Sequence, residues 1–119
     1  MIDITSRVQS AVKSSGVSSG NATIYCPHTT AAITINENAD PSVAADLLLT
    51  LAELVPEHRN GYRHIEGNSD AHAKSSIIGP SEQILIRNGS LALGTWQGIF
   101  FCEFDGPRSR KVIVQIRGE

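Results

Sequence analysis

The chain is predicted to fold as one α+β domain over residues 1–119, an antiparallel sheet or sandwich with helices packed on it. Two observations carry this. Segments with helical spacing and segments with strand spacing do not alternate regularly, which argues against a wound parallel sheet. Asn88-Gly89 lies between β-prone apolar runs, the favoured pair for a two-residue hairpin turn. A chain of 119 residues is one domain. It buries roughly two-thirds of its unfolded surface, enough to fold with little to spare. Oligomerisation would help, and would let a neighbour complete a site.

The elements follow in order. Thr5 or Ser6 is the expected cap of a first helix whose apolar face is Val8, Ala11 and Val12, ended by Gly16 and Ser18-Ser19-Gly20. Asn21 to Cys26 is a β-prone run with Ile24 and Cys26 on one face. Pro27-His28-Thr29-Thr30 interrupts it, and Ala31 to Asn36 resumes as strand. Asp40-Pro41 starts a second helix, Asp as N-cap and Pro at the first helical position. It runs from about Pro41 to Leu54, with Val43, Leu47, Leu48, Leu51 and Leu54 as a core stripe and Pro56 as the stop. After a polar loop from Glu57 to Gly67, Ser69 or Asp70 caps a short helix carrying His72 and Lys74, which ends at Gly79-Pro80. Ile84-Leu85-Ile86 pairs with Leu91 across the Asn88-Gly89 turn. Thr95 to Phe104 is a long strand, Asp105-Gly106-Pro107 turns it, and Lys111 to Arg117 is the last strand.

Composition excludes several functions. The net charge is −2, and the only basic cluster is Arg108, Arg110 and Lys111. That suits a phosphate better than a duplex, so no nucleic-acid partner is expected. No run approaches the ~20 apolar residues that span a bilayer, so no membrane partner is expected. The first residues lack the apolar centre of a signal peptide, so the expected location is the cytoplasm. Cys26 and Cys102 both lie in apolar strand-like runs and read as buried free thiols.

The chemistry-bearing residues are grouped. His28 interrupts a strand, and His64 and His72 stand eight apart with Asp70 between them. Three imidazoles with an open fourth position form a catalytic-zinc arrangement. Imidazole is also the commonest general base near neutral pH. The spacing matches no established zinc signature. Equally open is a helix cap at Asp70 with hydrogen-bonded histidines, and His58 reads as surface. Arg108 offers planar contacts to phosphate, Lys74 a point charge and Thr30 a hydroxyl. The plainer alternative is a strand-end turn with solvated arginines. Glu37 and Glu103 are carboxylates near these segments. Alternation puts Glu103 on the side of Phe101, which hints at burial beside a cation or metal. Trp96, flanked by Gly94 and Gly98, is a candidate pocket wall or a core residue.

Four stretches carry a resemblance. Pro27-His28-Thr29-Thr30-Ala31-Ala32-Ile33-Thr34-Ile35-Asn36-Glu37, Gly67-Asn68-Ser69-Asp70-Ala71-His72-Ala73-Lys74, Leu91-Ala92-Leu93-Gly94-Thr95-Trp96-Gln97 and Glu103-Phe104-Asp105-Gly106-Pro107-Arg108 resemble, in order, the YjbQ-like family, often labelled secondary thiamine-phosphate synthase. The resemblance covers nearly the whole chain. It implies a homotrimer with the pocket near a subunit interface, and maps the family's histidine motifs onto His28, His64 and His72, with Asp70 beside them. Zinc is the metal it suggests, and Mg²⁺ the metal a diphosphate substrate would bring. The family pattern carries a leading strand ahead of the segment matching Asp3-Ile4-Thr5. This chain begins almost at that point, which leaves the sheet edge and the trimer contact open.

The implied reaction couples hydroxymethylpyrimidine diphosphate to a thiazole phosphate and releases diphosphate. In it, Asp70 and His72 would be catalytic, His28, His64 and His72 would hold metal, and Thr30, Lys74 and Arg108 would bind phosphate. Glu37 and Glu103 would support them, and Trp96 would wall the pyrimidine. A histidine-rich site is softer than the oxygen setting Mg²⁺ prefers. The synthase activity is therefore expected as a side activity. A metal-dependent hydrolase, or a non-catalytic binding module for a phosphorylated metabolite, stands as the alternative.

Overall fold

Three helices and seven strands form in this order: β1 (Ile2–Asp3), α1 (Thr5–Ser15), β2 (Gly20–Tyr25), β3 (Ala31–Glu37), α2 (Pro41–Leu54), α3 (Ser69–Ile78), β4 (Ser81–Arg87), β5 (Ser90–Leu91), β6 (Gln97–Glu103) and β7 (Ile113–Gly118). The structure, a computed structural model, describes residues 1–119. The strands make two antiparallel sheets, ordered β1-β6-β3 and β5-β4-β2-β7. The α+β class expected from the sequence is the observed one.

The main core joins α1 to both sheets. Val8 and Val12 of α1 pack with Ala22 and Ile24 of β2, Ile33 of β3, Ile84 and Ile86 of β4, and Ile99 and Phe101 of β6. Strand alternation sends the other side of β6 elsewhere: Phe100 and Cys102 pack with Ala32 and with Ile78 of α3. The Ser75 hydroxyl of α3 donates to the Ala31 carbonyl at 2.6 Å, tying α3 to the start of β3. Both cysteines are free and buried. Burial pushes the Cys102 thiol up to about 11.

Local chemistry sets the element ends. The Asn88-Gly89 turn forms as expected, both residues taking positive φ (52° and 75°). Asp40 caps α2 by accepting Ser42 N–H at 2.9 Å. The cap position of α1 is Ile4 rather than Thr5 or Ser6, and Asp3 just before it supplies the side-chain acceptor. Its carboxylate accepts Thr5 N–H at 2.9 Å and the Thr5 hydroxyl at 2.6 Å, while Thr5 Oγ1 accepts Ile99 N–H. At α3 the position before the helix belongs to Asn68, not Ser69 or Asp70, and no side chain caps it. The Asn68 amide is engaged by Asp105 at 2.7 Å, and Asp70 by Lys74.

Three expectations need correction. The apolar stripe of α2 is not core: the helix buries no residue, with Leu48 37% and Leu54 69% exposed. The molecule measures 50 × 27 × 20 Å, and no layer of this chain covers that stripe. The strand expected from Thr95 starts at Gln97, because Gln97 N–H closes a turn onto the Gly94 carbonyl. Trp96 in that turn is 62% exposed and is not core. The last strand starts at Ile113 rather than Lys111, whose N–H is spent on a histidine ring instead of the sheet.

Candidate functional site

The leading ends of β3 and α3, the trailing end of β6 and the segment after it converge on one concavity of about 450 Å³. It is lined by His28, Thr29, Thr30, His64, Glu66, Asn68, His72, Asp105, Arg108 and Arg110, with Pro27. His64 and His72 meet edge to face, ring centres 5.3 Å apart. The loop between them folds back where Gly67 takes a positive φ of 71° and its N–H bonds the His64 carbonyl.

A second concavity of about 480 Å³ lies beside it, lined by Glu57, Asp70, Lys74 and Phe104 among others. Glu66, Asn68 and Asp105 form the wall shared by the two. Asn68 is nearly buried, and its amide nitrogen is held by Asp105. Its Oδ1 has no partner. The Asn68 hydrogen bond, then Arg108, keep the Asp105 carboxyl below its ordinary range.

The expected acid/base pair is therefore split. Residues two apart on a helix do not share a face. His72 lines the first concavity, whereas Asp70 lines the second and pairs with Lys74 at 2.9 Å, their side chains 9% and 14% exposed. Lys74 thus spends its charge on Asp70. Glu37 closes the opposite end of β3, ~20 Å along the strand from Ala31. Trp96 lies at that same far end and lines none of these concavities.

Glu103 has the cationic neighbour that alternation suggested. Arg110 grips both its oxygens: Nε donates to Oε1 at 2.8 Å, and Nη2 donates to Oε2. That hydrogen bond holds the Glu103 carboxyl below its ordinary range. Arg110 Nη2 also donates to Thr30 Oγ1 at 2.8 Å. Arg108 is half exposed and leans on Asp105 at 2.9 Å. Sequence reasoning placed Arg110 in the basic cluster suited to phosphate but chose Arg108 from it. The nearest signal was Glu103 in an apolar strand, which asked for a cation. Both arginines also line a mainly apolar cleft of about 370 Å³ with Ile2, Ile4, Val8, Phe101 and Val112.

The three histidines do not fit a shared zinc ion as placed. No group of three His, Cys, Asp or Glu side chains converges closely enough to hold one metal. His28 Nε2 accepts Lys111 N–H at 2.8 Å, so its lone pair is engaged.

The chain is a two-sheet α+β fold in which an imidazole pair and two arginines line one open concavity. The chain belongs to the UPF0047, YjbQ-like family, whose profile matches residues 1–119. It is 54% identical over 118 residues to UPF0047 protein YugU of Bacillus subtilis, covering 99% of this chain and 89% of that one. It is 56% identical to UPF0047 protein MJ1081 of Methanocaldococcus jannaschii, covering 100% and 86%. Among solved structures, an uncharacterised conserved protein of this family from Clostridium acetobutylicum superposes with a TM-score of 0.95 at 60% identity, covering 98% and 89%. A YbjQ-like protein of unknown function from Sulfolobus solfataricus gives 0.94 at 38% identity, covering 99% and 86%. No helix is long and apolar enough to cross a membrane.

Proposed function

We propose that the chain is a small cytoplasmic enzyme acting on a phosphorylated small molecule, with thiamine-phosphate synthesis as an activity, native or secondary. The observation that carries this is one concavity lined by three imidazoles and two guanidiniums. Guanidinium groups are suited to phosphate oxygens, and an imidazole beside them can give or take a proton as a diphosphate leaves. Thr30 and Arg108 complete the anion side. The apolar cleft behind the arginines suits a pyrimidine or thiazole ring better than the distant Trp96 does. Asp70 and Lys74 support α3 from its other side rather than acting on substrate. A divalent metal, if used, would have to engage His64 and His72, and no step is assigned to it.

We further propose self-association as a homotrimer, supported by the uncovered stripe of α2. Ile65, 99% exposed between His64 and Glu66, extends apolar surface to the rim of the site.

The test incubates purified protein with hydroxymethylpyrimidine diphosphate and thiazole phosphate and follows thiamine phosphate and diphosphate. Turnover that falls about 100-fold or more in His72→Ala is the expected result. Phosphate-ester binding without turnover in any assay would instead favour a binding module.

A further inference from the structure

We propose that Arg110 is the residue that grips the ligand's anionic group, and that His28 is a positioning residue for it rather than a metal ligand. This rests on the phosphorylated-ligand reading above.

Arg110 is among the least exposed cations of the chain, its side chain 11% exposed. Nε and Nη2 are committed to Glu103 and Thr30. None of the bonds that hold it uses Nη1, and the residue lines the concavity. A guanidinium clamped along one edge presents its remaining donors with little orientational entropy left to lose. Arg108, by contrast, is half exposed and reaches Asp105 and Glu66. An anion arriving there must compete with two carboxylates.

The segment carrying Arg110 is held by His28. Lys111 N–H has a fixed direction, so His28 Nε2 must be the acceptor. A neutral ring accepting at Nε2 carries its proton on Nδ1. The lone pair a metal would need is therefore in use, and the other nitrogen has none to give. Two cross-links, His28 to Lys111 and Thr30 to Arg110, fasten the segment to the strand interruption. His28 acts on the anion through that fastening, without touching it.

The experiment titrates inorganic phosphate into the full chain and its variants by calorimetry, with zinc content measured in parallel. Arg110→Lys is expected to weaken phosphate binding about tenfold, more than Arg108→Gln does. His28→Ala should weaken it too. His28→Gln should restore it, because the amide oxygen can accept Lys111 N–H. Zinc content should be the same in both His28 variants and the unaltered chain. If Arg110→Lys is poorly folded, an NMR titration of the unaltered chain replaces it. The Arg110 Nε–H signal should move more than that of Arg108, and His28 should read as the Nδ1–H tautomer with and without zinc. The proposal is overturned if Arg108 dominates, if His28→Gln behaves as His28→Ala, or if His28 variants lose zinc. Phosphate binding with the wrong residue ranking sinks this proposal alone. No phosphate binding by the unaltered chain sinks the phosphorylated-ligand reading with it.

Discussion

Glu103 ends an apolar strand and pairs with Arg110 at the mouth of the core. Its carboxyl sits below the ordinary range because Arg110 bonds the ionised form, against the opposing effect of partial burial. A carboxyl with a lower value folded than unfolded stabilises the fold above the unfolded value of about 4.3. That contribution is lost as pH falls through the folded value. Glu103→Gln is therefore expected to flatten the loss of stability between neutral and acid pH, read as urea midpoints at several pH values. An unchanged acid limb would show that the pair contributes nothing to it. Alternation with Phe101 made this residue legible as a buried carboxylate in need of a partner. It could not say which arginine answers. That choice depends on Lys111 leaving the sheet for His28, a contact between residues 83 apart that no local period encodes.

Elements were most legible where backbone chemistry is local. Asn88-Gly89 and Asp40-Pro41 act on their own neighbours, and both formed as read. Two glycines separate local from distant constraint. An added Cβ at Gly89 meets nothing within 4 Å, so Gly89→Ala is expected to cost only ~1 kcal/mol for its left-handed backbone. An added Cβ at Gly20 would lie 1.9 Å from the Arg117 carbonyl of β7. Gly20→Ala should pry β7 from β2 and cost several times more, measured by denaturant unfolding of both variants. Equal losses would mean that β7 yields freely. The stripe of α2 was the least reliable inference of burial. A helical apolar period states that one face wants cover, and is silent on whether this chain supplies it.

At the scale of the whole molecule, that bare face argues for a neighbouring copy. Sedimentation of the unaltered protein is expected to give three times 12.8 kDa. Leu48→Glu together with Leu54→Glu should reduce this to the single-chain mass with the sheets intact. A single-chain mass for the unaltered protein would remove the trimer. The same molecule carries a more rigid constraint in β6. Its odd-numbered side chains, Ile99, Phe101 and Glu103, serve the main core and its mouth, while Phe100 and Cys102 serve the layer under α3. Side-chain direction along a strand has only two values, so the strand has a parity. Inserting one residue ahead of Glu103 exchanges the two cores and turns the carboxylate away from Arg110, whereas inserting two returns every side chain to its own face. Length changes near β6 are thus tolerable in pairs and ruinous singly, and the location of the anion grip is a matter of counting.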